Sequence, residues 1–337
     1  MSILTNHMLM AAAGARGSGP SVADVFKTTT YSGNGAATRI FGGGPDMAGL
    51  GGLAIHKARN AIDGWVWEDS VRGAGNWMDS SANTPSAYAS NAVKSFNSDG
   101  VTIGDDVWMN QAGDTYVQYL IARSEKFFDV VTYTGDGVGG RSVPHNLGCT
   151  PGMIVVKRTN ATTAWLVQHR GVPQNSGAPG YLYLNAQNNA ATGAAFVWPQ
   201  AADDTAFFLG TEPSLNASGG TYVAYIFAHD TASDGLIQCG SYTGNGSTTG
   251  PVVSLGWKPQ WLLVRGYNLA GDWGVFDAAR SPGNPRDKYL NAASSGQEGS
   301  GRAFDFLPTG FQPKNSEFDT NSSGGQYIYM AIRAEGV

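Results

Sequence analysis

The chain has 337 residues and a formal net charge of −5; 14% of its residues are charged and 42% hydrophobic. Its 21 Lys and Arg are scattered singly, which excludes a duplex-wrapping protein, because neutralising a phosphate backbone requires clustered cations. No apolar run reaches the 18 or so residues of a spanning helix, so membrane insertion is not expected either.

With 47 glycines and so little charge, solubility must come from Asn, Ser, Thr, Gln and exposed backbone, the balance of a turn-rich β protein. The first 26 residues include MLMAAAGARGSGPS, too short and glycine-rich for a domain. They are expected to form an arm, either flexible or ordered against a partner subunit. No basic region precedes the arm's short apolar interior, so it does not read as a signal peptide.

From Tyr31 the chain reads YSGNG, and near-copies follow: YTGDG from Tyr133 and YTGNG from Tyr242. Each phrase opens a unit. An apolar segment with a basic end comes next: GLAIHK through Lys57, MIVVKR through Arg158, WLLVRG around Arg265. Then come WVWEDSVR from Trp65 to Arg72, WLVQHR from Trp165 to Arg170, and WGVFDAAR from Trp273 to Arg280. The units close with NQAGDTYVQYLIAR from Asn110, NASGGTYVAYIFAH from Asn216 and NSSGGQYIYMAIR from Asn321. Order and spacing kept together at a period of roughly 100 residues mean internal triplication, with a period too long for a short solenoid repeat.

Within a unit the apolar runs are short, rich in Val, Ile, Tyr, Phe and Trp, and bounded by Gly, Asn, Asp, Ser or Pro, which is the strand-and-turn signature. In TYVAYIFAH both alternating sets are largely apolar, so the strand must be covered on both faces. The expected fold is all-β: an arm over 1–26 and three tandem β-sandwich-like domains over 27–125, 126–232 and 233–337, each burying a core of its own. The YTGNG phrases are expected to be hairpin-like turns after an early strand, with the tyrosine packed on the sheet.

No catalytic constellation is expected. There is no GxxxxGK[ST] loop, and the adjacent carboxylates Glu68 and Asp69, or Asp105 and Asp106, would face opposite ways on a strand rather than each other across a sugar. His56, His145, His169 and His229 lack metal-ligand spacing, and Asp114, Asn216 and Asp319 lie in polar turns without a calcium loop. Hence no cofactor and no metal are expected. Cys149 and Cys239 fit no CxxC motif and are expected as small buried hydrophobes, with a disulfide between them left open. The candidate contact residues are the repeated pairs Trp65 with Arg72, Trp165 with Arg170, and Trp273 with Arg280. On a shared exposed face they would offer a ring and a guanidinium to a glycan or a neighbouring subunit. In the core they would be structural.

Several phrases, NHMLMAAAG from Asn6, SFNSDGVTIG from Ser95, FFDVVTYTGDG from Phe127, SVPHNLGCTPGMIVVKRT from Ser142 and LIQCGSYTGNG from Leu236, resemble a family of structural, tail-associated proteins of marine tailed bacteriophages. The resemblance covers nearly the whole chain. Unit one departs most from it, with GGGPDMAGLGG from Gly42 in place of the HNLGCTPG and SLGWKPQ phrases. It implies a virion structural protein without enzymatic activity, acting through assembly at the tail as a fibre-attachment or short fibre component. Its partners would be other virion proteins, met through the arm or first domain, and further copies of itself in a homo-oligomer. A carbohydrate-binding adhesin for a host surface glycan and a capsid-surface decoration protein are the alternatives.

Overall fold

The computed structural model describes residues 19–336 and is all-β. Unit one runs β1 (Phe26–Ser32), β2 (Arg39–Phe41), β3 (Gly52–Ala58), β4 (Val66–Asp69), β5 (Asn76–Asp79), β6 (Ala87–Tyr88), β7 (Val93–Asn97), β8 (Gly100–Ile103) and β9 (Thr115–Ala122). Unit two runs β10 (Phe128–Thr134), β11 (Arg141–Pro144), β12 (Pro151–Arg158), β13 (Leu166–His169), β14 (Gln174–Asn175), β15 (Ala178–Pro179), β16 (Tyr181–Tyr183), β17 (Ala206–Leu209) and β18 (Thr221–Ala228). Unit three runs β19 (Ile237–Thr243), β20 (Val253–Ser254), β21 (Pro259–Gly266), β22 (Gly274–Asp277), β23 (Leu290–Asn291), β24 (Phe304–Leu307), β25 (Gly310–Pro313) and β26 (Gln326–Arg333). Short helices α1 (Val22–Val25), α2 (Val107–Asn110), α3 (Pro213–Asn216) and α4 (Phe318–Asn321) punctuate the chain.

Each unit is a main antiparallel sheet covered by a small outer sheet. The main sheets have the orders β1-β9-β3-β4-β5-β6, β10-β18-β12-β13-β16 and β19-β26-β21-β22-β23. The opening strand pairs with the closing one, placing Tyr31 opposite Tyr116, Tyr133 opposite Tyr222, and Tyr242 opposite Tyr327. The outer sheets are β2-β8-β7, β11-β17 and β20-β25-β24, so unit two has two outer strands where its neighbours have three.

The cores are not three separate ones. In unit one Ala54, Tyr116 and Leu120 face the outer sheet, whereas Leu53, Ile55, Val117 and Tyr119 join a cluster that also takes Met153, Val155 and Trp165 from unit two and Trp261, Leu263 and Met330 from unit three. The period-two alternation of a strand sends its two faces to two different cores. In units one and three one core is local and the other is common to all three units, whereas in unit two both faces, Tyr222 and Val223 alike, join the common cluster.

Most of the expected arm, residues 1–18, lies outside the described residues. Residues 21–25 are not arm-like: Ser21 caps α1 through Asp24, and Val22 and Val25 are buried in the common core.

The YTGNG phrases are not hairpin turns. Their strand pairs with the last strand of the unit, and the loop carries the chain from the main sheet to the outer one. The hydroxyls of Tyr31, Tyr133 and Tyr242 donate to the carbonyls of Met109, Leu215 and Thr320, and each ring stacks on its partner tyrosine with centroids 5.0–5.2 Å apart. The next residue along, a fully buried asparagine, is the pivot of the corner. Asn110 Oδ1 accepts from Asn34 N while Nδ2 donates to the Ala36 and Gly104 carbonyls. Asn216 does the same with Asp136, Val138 and Gly210, and Asn321 with Asn245, Ser247 and Asn315. A side-chain amide has two N–H donors and one carbonyl, and here all are used.

Candidate functional site

The repeated tryptophans sit at the seams between units. Trp65, Trp165 and Trp273 are 2%, 0% and 1% exposed, which removes the glycan-facing arrangement their repetition permitted. Each indole nitrogen donates to a backbone carbonyl of another unit: Trp65 to Asn291 at 2.9 Å, Trp273 to Tyr183 at 2.9 Å, and Trp165 to Asp79 and Ala82 at 3.1 and 3.0 Å. Unit one thus holds unit three, three holds two, and two holds one. The contacts close a ring.

The penultimate residue of each central strand, a lysine or an arginine, repeats that ring. Lys57 donates to Ser295, Lys157 to Asn83 and Arg265 to Asn188, again one to three, two to one and three to two. All three are fully buried, and burial lowers both lysines to about 8 and the arginine to about 10. A third ring is made by main chain, with Ser86 N bonding Thr159 O, Ala190 N bonding Tyr267 O and Glu298 N bonding Arg59 O.

The arginines do not share one fate. Asp277 Oδ2 takes Arg280 Nε at 2.5 Å and the hydroxyl of Tyr119 from unit one at 2.7 Å. Asp69 Oδ2 takes Arg72 Nε at 2.6 Å and the hydroxyl of Tyr225 from unit two at 2.8 Å. Arg170 belongs to neither pattern. Counting from the tryptophan, Arg72 and Arg280 are seven residues on, where unit two has Val172, and Arg170 matches Ser70 and Ala278. In unit two the carboxylate is replaced by His169, whose Nε2 lies 3.1 Å from the carbonyl of Tyr329 in unit three while Nδ1 accepts from Gly171 N. Burial drives this imidazole down to about 4, so it is a neutral donor.

Glu68 and Asp69 do face opposite ways. Asp69 meets Tyr225, whereas both Glu68 oxygens turn to the outer layer and accept from Gly75 N and Val93 N. Burial lifts Glu68 to about 7. Asp319 pairs with Arg302 and accepts from Asp272 N, and Asn216 is committed to its corner. Cys149 and Cys239 are free thiols, the second fully buried.

Where unit two breaks the pattern, a cavity of about 410 Å³ opens. In its wall are Pro151, Ile154, Gln168, Arg170, Val172 and Ala202. The matching positions elsewhere are closed. Glu68, three residues after Trp65, is tied to the first residue of β7, and Phe276, three after Trp273, packs against Phe304 of β24 at 4.7 Å. Unit two has no third outer strand, and Ala201 and Ala202 of the irregular stretch before β17 stand there instead. Sequence reasoning did not single out this site. Its signal was the polar PQAADDT at 199–205, which stands where the other units have the strands VKSFN and FDFL.

Residues 21–335 match the model of a domain of unknown function, DUF7483. The chain belongs to the DUF7483 family. The match spans all three units. No curated protein matches the chain.

Proposed function

We propose that this DUF7483 chain is a structural protein of a phage virion that acts by assembly, most specifically as a short fibre or fibre-attachment component of the tail. The reading rests on the phrase-level resemblance to tail-associated phage proteins and on one observation of the surface. Of nine large apolar side chains exposed among the described residues, five lie on unit one: Ile40, Ile62, Val71, Tyr88 and Val107, with Ile40 70%, Ile62 75% and Tyr88 69% exposed. Single exposed apolar residues are ordinary, but this concentration on one of three homologous units supports docking through unit one. The ring supports a mechanical role in a particle, because its repeated aromatic and charged residues are committed to holding the units together.

Cryo-electron microscopy of intact particles tests the proposal. The expected result is density for this chain at the tail, with unit one against a neighbouring virion protein and several copies related by symmetry. Density on the capsid would replace the tail assignment with surface decoration, and particles that lack the chain would remove the virion reading altogether. Replacing Ile40, Ile62 and Tyr88 together by Ser should abolish incorporation while leaving the unfolding midpoint of the purified chain nearly unchanged.

A further inference from the structure

We infer that the cavity at the centre of the ring is a binding site for a small apolar guest, a molecule of a few heavy atoms without a hydrogen-bonding group. The space measures about 40 Å³ and lies where the inner faces of the three units meet. Ile55, Val155 and Leu263, which hold the same position on the central strand of each unit, all line it. A position copied three times around a ring cannot place one side chain in the middle. The space therefore stays open, although Trp67 from unit one and Trp261 from unit three close in on it.

The wall decides the guest, because the surface it turns to the cavity is entirely apolar. The Tyr119 hydroxyl is spent on Asp277 and the Trp65 indole nitrogen on the carbonyl of Asn291. The indole nitrogens of Trp67 and Trp261 have no partner, but neighbouring atoms cover them and they offer the cavity nothing. A water molecule needs about 10–15 Å³ of such space, so one has room, but it also needs polar partners and here it finds none. What the wall supplies is polarisable surface: the indole rings, Phe227 and the thioethers of Met153 and Met330. An apolar guest gains the dispersion contacts that the empty space forfeits.

The site exists only in the closed ring. Its wall is shared by all three units, and a unit that swings away takes part of the wall with it. A guest touches every unit at once and has no comparable place in the unfolded chain. Occupancy is therefore linked to closure of the ring by mass action.

The test uses the full chain, with xenon as the apolar probe, helium at equal pressure as the control and methanol at equal concentration as the polar counterpart. Xenon should shift the methyl resonances of Ile55, Leu263, Met153 and Met330 and should raise the unfolding midpoint progressively with pressure. Helium and methanol should do neither. Ala292→Ile fills the space from a small residue of the wall and should abolish the xenon shifts. Val155→Ile is a smaller change in the same wall, should weaken the xenon response, and decides the matter where Ala292→Ile does not fold. Methyls unmoved by xenon, methanol shifts as large as those of xenon, a long-lived water detected beside these methyls, or a full xenon response in the deciding variant would each overturn the inference.

Discussion

At the scale of single residues, magnitudes separate glue from register. A buried tryptophan removes on the order of 200 Å² from water, worth about 5 kcal/mol at 25 cal/mol/Å², whereas its indole hydrogen bond adds about 1 kcal/mol. The rings therefore hold the units together, and the N–H bonds fix which carbonyl each one meets. Trp165→Ala should cost about 4 kcal/mol in urea unfolding, and Trp65→Ala and Trp273→Ala should cost similar amounts. A loss under about 1 kcal/mol at one of them would show that its seam is not packed as described. The buried histidines add a pH dependence. Burial holds His56 at about 3 and His169 at about 4, both below the ordinary imidazole value of about 6.5. The unfolded chain therefore takes up protons that the folded chain refuses as pH falls. Stability is full above about pH 6.5 and drains by about 1.4 kcal/mol per pH unit for each histidine, down to the folded values. Glu68, lifted to about 7, works in the opposite sense over the same range, so the informative quantity is a difference. Between pH 6.5 and 4.5 the slope of unfolding free energy should be shallower in His56→Leu and in His169→Leu than in wild type. Unchanged slopes would mean that water reaches these rings in the native state.

At the scale of elements, the corner built on YTGNG shows what a repeated phrase can and cannot disclose. Its first glycine is required by close approach. A Cβ at Gly33, Gly135 or Gly244 would overlap the carbonyl oxygen of Gln111, Ala217 or Ser322. Its second glycine is required by conformation, since Gly35, Gly137 and Gly246 have φ of +63°, +76° and +70°. The two requirements differ in cost. Ala at Gly135 must displace backbone and should cost more than about 3 kcal/mol, whereas Ala at Gly137, which has room for the methyl group, should cost about 1 kcal/mol. Equal midpoints for the two variants would contradict the corner geometry. The repeat itself, the strand signature and the two-faced closing strand were all readable because they are local patterns. The partner of Tyr31 was not, because pairing of first strand with last is a long-range choice. Arg170 was misplaced for a related reason: it ends WLVQHR as Arg72 ends WVWEDSVR, but its distance from the tryptophan is two residues shorter, and on a strand end that changes the neighbours it meets.

At the scale of the whole molecule, three sandwiches that could have been independent are made interdependent by where their main sheets turn the second face. Sequence repeats show that a face is apolar but not what covers it. Here each unit's inner face is covered by the other two, with Trp67 edge-on to Trp165 and Tyr225 across the first seam and Phe26 and Tyr119 edge-on to Trp261 across another. A unit cut from the ring would expose its seam tryptophan, its half of the common core and a buried cation stripped of the carbonyl it bonds across the seam. Single-unit fragments such as 126–232 should therefore fail to fold, and the intact chain should unfold in one transition. Its calorimetric and van't Hoff enthalpies should agree to within about 10%, although domains strung on linkers would melt separately. Scanning calorimetry decides between the two. Three resolved transitions, or a cooperative transition in the isolated 126–232 fragment, would mean that the local cores suffice and the common core only docks finished domains. One transition that Trp165→Ala and Trp273→Ala each shift as a whole would mean that the seams carry the cooperativity.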